Sequence, residues 1–463
     1  MQVYAIDPSF ASGQPFTIGV RPGSRFSVAF YAQGGGESLY RFGDIVAAST
    51  ENVTQIRPGI FESGGHEAPI VYDQDWAWPT ITFAIAGATV PSGAYMAVAY
   101  DVDATGAPTT ELGRRCAAGA PLDGYPPDSD AMALLICRPA TPTAAIAYVI
   151  PTATYHAYNS TGGGCFYDDH VHGTDAQWRV SLLRPGGGLG AQLGEPADPY
   201  DPDSPRQQFT HWDAKFVRWL IAQGIACDFY TDLDLHDGTL DLSAYRCMLS
   251  VGHHEYWSAA MRDAVARFLR GGGNLAVFSG NTCFRPIDFG DRTPEAMKVV
   301  RKLADHWPDY DESDLLGLSY GFGGGHWGDW EPRAGWINTG RDPIGFTVRD
   351  ASHWAFAGCG LADGDTFGDE DHLVGYEVDG VPSPSNGFHV LADTRRLTGW
   401  EMEGVGAMGI FGDERNAGPK AGLVFNGGTT DWARVLIDEA ASSRAVVSRI
   451  TTNVLRAFTG SDS

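Results

Sequence analysis

The sequence predicts an all-β domain followed by an α/β domain with a long insertion. Three observations carry this. Short β-branched and aromatic runs dominate the first 140 residues, strands alternate with amphipathic helices after residue 145, and glycine is in excess. Glycine makes up 59 of 463 residues, about 13% against a usual level of roughly 7%. There is no collagen period, and aromatics reach 12%. Disorder and fibre are therefore excluded, and the glycine is expected in turns and loops.

Residues 1–140 read as a β-sandwich. Phe16–Val20, Phe26–Tyr31, Thr80–Ile85 and Tyr95–Tyr100 are strand-like runs separated by Gly, Pro and Asp. Ala131–Cys137 is the expected last strand, and Pro139–Thr143 the linker. Residues 141–463 read as a doubly wound α/β domain. Ala145–Ile150 is a continuous apolar run, the mark of a strand covered on both faces. Trp212, Phe216, Trp219 and Leu220 fall at helical spacing behind Thr210 as N-cap, with Gly224 as the stop. Strands are expected at Ile225–Tyr230, Tyr245–Gly252 and Asn274–Gly280, with a helix through Met261, Val265, Phe268 and Leu269 between the last two. Residues 285–340 break the alternation and read as an insertion. Strands follow at Leu373–Val378, Phe388–Ala392, Ala407–Phe411 and Gly422–Phe425, and a final helix at Ala445–Phe458.

A formal charge of −25 repels phosphate backbones and anionic membrane surfaces. No stretch approaches the roughly 18 apolar residues that span a bilayer. The first residues form no secretory signal, so a cytoplasmic protein acting on a small molecule is expected. Seven dispersed cysteines without a CxxC point to reduced thiols, not a disulfide framework or a zinc site.

In open α/β sheets, sites form at the carboxyl ends of strands. Three such ends carry unusual polar residues: Tyr155, His156, Tyr158 and Asn159 after the first strand; His253, His254, Glu255 and Tyr256 after the third; and Asn281 and Cys283 after the fourth. Imidazole and carboxylate move protons and, with phenolate, bind metals. Adjacent residues on an extended loop point to opposite sides, so at most two of the four at 253–256 easily share a metal. The bland alternative has His253 and Glu255 serving a strand-to-helix turn with Ser258 as N-cap. Cys283 is a candidate thiol nucleophile with His253 or His254 as base, or else a small buried thiol. Asp232 and Asp234 alternate with apolar residues and are expected to face solvent. Trp327 and Trp330, in a glycine-rich stretch, are candidates for a substrate-binding lid or for ordinary loop packing. The tryptophans and the sandwich also leave open a carbohydrate- or ligand-binding protein.

The motifs resemble the large (β) subunit family of N,N-dimethylformamidase. Thr154–Asn159 with Gly162–Gly163 is similar to the family's T-W-x-A-Y-N…G-G, and Gly252–Ser258 is close to G-H-x-E-Y-W-S. Tyr230–His236 and Ser279–Thr282 add to the likeness. The resemblance implies a glutamine-amidotransferase-like α/β domain. It also implies amide hydrolysis at a mononuclear ferric iron (Fe3+) held by two tyrosines and one glutamate. It places one ligand at Tyr245 or Tyr256. Where the family has the other tyrosine, after the Gly-Asn turn, this chain has Phe284. Where the glutamate would align stands Ala357, with Glu377 the nearest acidic alternative. Either the site is rebuilt, from Tyr256, His253 and Glu377, or the metal is gone. The need for a small subunit and the formation of homo-oligomers stay open.

Overall fold

A computed structural model describes residues 1–34, 37–65, 71–86, 89–122, 130–167, 175–190, 197–198, 201–205, 208–290, 298–325, 343–412 and 421–460. The first part of the chain folds as two antiparallel-rich sheets. One has four strands, ordered Val3–Ala5, Phe16–Val20, Thr80–Ile85 and Ile45–Glu51. The other is built around Gly93–Asp101, which pairs with Arg25–Gly34 on one side and Met132–Arg138 on the other. Alternation along Gly93–Asp101 explains how both of its faces are used. Tyr95, Ala97 and Ala99 join Phe16, Phe30 and Leu135 inside the sandwich. Met96, Val98 and Tyr100 join a second core shared with Tyr148, Phe216 and Phe229 of the following half. The sandwich therefore packs directly on the α/β half. Arg138 and Asp234 clip the seam at 3.1 Å.

The α/β half begins with β1 (Ile146–Ile150) and α1 (Thr152–Tyr158). There follow α2 (Asp213–Gln223), β2 (Asp228–Thr231), α3 (Asp232–Asp237), β3 (Cys247–His253), β4 (Tyr256–Ser258), α4 (Ala259–Arg270) and β5 (Asn274–Gly280). Beyond these come β6 (Arg285–Asp288), β7 (Ser319–Gly325), β8 (Phe346–Val348), β9 (Thr366–Phe367), β10 (Glu377–Gly380), β11 (His389–Asp393), β12 (Ala407–Phe411), β13 (Val424–Asn426), α5 (Trp432–Ile437) and α6 (Arg444–Thr459). One nine-stranded sheet has the order β2-β1-β3-β5-β13-β12-β11-β8-β9. Its first five strands are parallel, and β12, β11, β8 and β9 continue it antiparallel. Both faces are covered: Leu249, Val251, Ala276 and Phe278 pack toward α2, α5 and α6, while Met248, Leu275 and Val277 pack toward Met261, Val265 and Phe268 of α4. That is why these strands read as unbroken apolar runs.

Several expected elements are corrected. Helix α2 starts at Asp213 behind Trp212, which makes no side-chain cap, so Thr210 is not its N-cap. Asp232 and Asp234 do not face solvent; both are buried. They open a helix, not a strand, so their carboxylates turn to free N–H groups: Asp232 accepts from Ala153 N at 2.6 Å, and Asp234 closes a capping box with Thr231. Among its described residues, the stretch read as an insertion contains three strands with defined partners: β6 beside β4, Val299–Lys302 beside β6, and β7 beside β10. The strand expected at Leu373–Val378 is β10, which pairs with β7 and not with the large sheet. Trp327 and Trp330 lie outside the described residues. Among the described residues, no disulfide joins any of the cysteines.

Candidate functional site

The carboxyl ends of β1, β3 and β5 lie side by side because the register aligns His253 with Gly280. Glycine is required twice there. Gly252 has φ +69°, and a Cβ on it would lie 2.3 Å from Trp212 Cβ. A Cβ on Gly280 would lie 2.4 Å from the carbonyl oxygen of Glu377. Without side chains at these points, α2 and β10 come close enough to bring Glu377 to the end of β3.

His253 and Glu255 share one side of their loop. His253 Nε2 lies 2.5 Å from Glu377 Oε2 and 3.4 Å from Glu255 Oε2. Burial works to lower the pKa of His253, but Glu377 and Glu255 outweigh it and raise it above its ordinary value. Burial raises Glu377, and the His253 charge opposes that rise. Both shifts favour the protonated form of the group concerned. Asn281 donates Nδ2 to Glu377 Oε2 at 3.2 Å.

Around Glu255 gather three further donors. Tyr158 donates to Oε2 at 2.9 Å, and the Tyr167 hydroxyl lies 2.8 Å from both carboxylate oxygens. Arg285 Nε donates to Oε1 at 2.6 Å. The rings of Tyr158 and Tyr167 stack with centroids 4.3 Å apart, so both hydroxyls address the same carboxylate. Burial, then the Glu255 charge, raises both phenols well above their usual range. Tyr256 is fully buried and donates to the Tyr167 hydroxyl at 2.7 Å.

The other expected site residues are elsewhere. His254 turns the opposite way from His253, bonds Ser250 Oγ through Nδ1 at 2.9 Å, and is held neutral by burial, which lowers it to about 3. Tyr245 precedes the amino end of β3, roughly 25 Å from His253 at about 3.3 Å per strand residue, and bonds Tyr230 and Asp228. Tyr155 donates to buried Asp213. His156 is buried beneath Gly187, and Asn159 bonds Pro185 O and Thr161 N. Cys283 is fully buried among Tyr256, Trp257 and Ile287, and burial drives its thiol well above its ordinary value. That opposes thiolate formation at Cys283. Phe284 packs edge-on against His306 and Tyr320. Ala357 caps a short 3-10 turn and receives Asn453.

The family model described as N,N-dimethylformamidase beta subunit-like, C-terminal, matches residues 38–443. The chain belongs to this family. No curated protein matches it. Among solved structures, the mmIFT52 N-terminal domain is similar at 12% identity and a TM-score of 0.29, over 52% of this chain and 88% of that one. A likeness that low carries no argument about function.

In a member of the dimethylformamidase β-subunit-like family, two residues of this cluster were missed by sequence reasoning, Tyr167 and Arg285. Tyr167 sits in Cys165–Tyr167 after the Gly162–Gly164 turn, and only its distance from Glu255 sets it apart from the other tyrosines. Among the described residues, no three His, Cys, Asp or Glu side chains have metal-holding geometry. Tyr158, Tyr167 and Glu255 nevertheless group three oxygen donors of the hard, ionisable type that suits a trivalent cation.

Proposed function

We propose that this chain hydrolyses a small non-peptide amide or related C–N bond, with a ferric ion held by Tyr158, Tyr167 and Glu255. The observation that carries the reading is the convergence of both tyrosine hydroxyls on Glu255, beside the His253–Glu377 pair. The family resemblance implies two tyrosines and one glutamate, and this group supplies that set where the aligned positions Phe284 and Ala357 do not. Two phenolates and one carboxylate balance a charge of three. The high phenol pKa values oppose ionisation without a cation, and a bound cation reverses that order. When bound, such an ion supplies Lewis-acid polarisation of the amide carbonyl. The parallel half-sheet with helices on both faces supports the amidotransferase-like fold.

The chain's own residues handle the proton. Water attacks the carbonyl carbon, and its proton enters the pair formed by His253 Nε2 and Glu377 Oε2. The same pair delivers a proton to the departing nitrogen, so the C–N bond breaks as an acid and an amine form. Asn281 holds Glu377 in place, and Arg285 orients Glu255 and offsets its charge. A Cys283 mechanism is disfavoured by the buried, high-pKa thiol.

The test is metal analysis of protein purified without chelator, with turnover on a panel of small amides. Iron near one per chain and release of amine support the reading. Absence of iron, or no hydrolysis by iron-loaded protein, overturns it.

A further inference from the structure

Glu377 and Asp379 stand at alternate positions of β10, so their side chains leave the strand on the same face. They are 4% and 1% exposed. Glu377 meets His253; Asp379 holds a turn. Its Oδ1 accepts the backbone N–H of Asn281 at 2.7 Å. Asn281 in turn donates its side-chain Nδ2 to Glu377 Oε2 at 3.2 Å. One asparagine therefore has its main chain tied to one β10 carboxylate and its side chain tied to the other.

Two features make this tie consequential. Asn281 has φ +52°, and Cys283 two residues on has φ +60°. Such left-handed residues persist where their surroundings over-determine them. In addition, β10 pairs with β7 and not with the nine-stranded sheet. Its position against the end of β5 is thus set by local bonds: Asn281 to Asp379, Thr430 N to Glu377 O at 3.2 Å, and Asp379 N to Gly428 O at 3.0 Å.

We infer that Asp379 is a positioning residue for the His253–Glu377 pair. It pins the turn after β5 in the conformation that aims Asn281 Nδ2 at Glu377, and so sets that carboxylate against the imidazole. The inference rests on reading His253–Glu377 as the proton-handling pair.

The test compares Asp379→Ala and Asp379→Asn in the full chain. Amide hydrogen exchange is read on the peptide covering 277–284, carbethoxylation on His253, and kcat and KM on the best amide of the panel. Asp379→Ala is expected to speed exchange at Asn281 and carbethoxylation of His253 at least tenfold. It should lower kcat about 100-fold with KM within threefold, an effect the size of losing an oriented acid–base pair. Asp379→Asn keeps an acceptor oxygen and is expected to recover most of each loss; it also serves if the alanine variant fails to fold. Unchanged exchange and unchanged His253 reactivity in Asp379→Ala overturn the inference. So does equal loss of kcat in both variants, which assigns the effect to charge. If the unaltered chain hydrolyses no amide, the proposed reaction fails, while exchange and carbethoxylation still decide the role of Asp379.

Discussion

His253 Nε2 and Glu377 Oε2 lie 2.5 Å apart, both buried, and reach each other from strands that belong to different sheets. The contact exists because β10 crosses over Gly280, where a Cβ would strike the Glu377 carbonyl.

Removing either member of that pair should slow the reaction while leaving metal binding intact. Glu377→Gln and His253→Asn are each expected to lower kcat by about 10²–10⁴-fold. Steady-state kinetics with metal analysis checks this. Near-normal kcat in both variants would remove the pair from the mechanism.

Tyr167→Phe should leave the fold intact and cut iron content sharply, together with the visible absorbance that ferric phenolate produces. Tyr245→Phe should change neither, because Tyr245 sits at the far end of β3 with Tyr230 and Asp228. An iron-replete Tyr167→Phe protein would sink the ligand assignment.

Cys283→Ala should retain turnover within about twofold and lower stability by about 1–3 kcal/mol, as a small core truncation does. Burial holds the thiol protonated, so its loss removes packing and no nucleophile. Chemical denaturation and kinetics on one preparation separate the two effects.

Gly280→Ala is expected to destabilise the chain by about 1–3 kcal/mol through overpacking and to lower kcat by displacing Glu377. A variant of unchanged stability and rate would show that β10 can yield there.

Asp213 is buried between the hydroxyls of Tyr148 and Tyr155, and burial raises it to about 7. The folded chain therefore holds this proton where the unfolded chain, with a carboxyl near its usual value, has lost it. The contribution is full below the unfolded value and is lost as pH rises through the folded one. Between about pH 4 and 7 it should decline by at most about 1.4 kcal/mol per pH unit. Denaturant titrations of Asp213→Asn should show a flatter dependence over that window than the unaltered chain. Parallel curves would refute the assignment.

Much of this protein was legible from local pattern. Apolar runs marked β1, β3 and β5, because a strand covered on both faces needs no polar side. The His253–Glu255 segment was legible as chemistry, because alternation along an extended loop puts two acid–base side chains on one side. What local pattern left open was which distant residues complete the site. Tyr167 and Arg285 reach Glu255 from two separate segments, and no periodicity links them to it. Asp232 and Asp234 were misplaced for a related reason: alternation with apolar residues suits a strand, but the chain turns at Thr231 and the carboxylates cap helices. The sequence by itself determined the element types and one edge of the site, since those follow from side-chain period and turn chemistry. Only tertiary structure decided which side chains gather on Glu255 and His253, since that depends on where β10 and the Tyr167 segment come to rest against them.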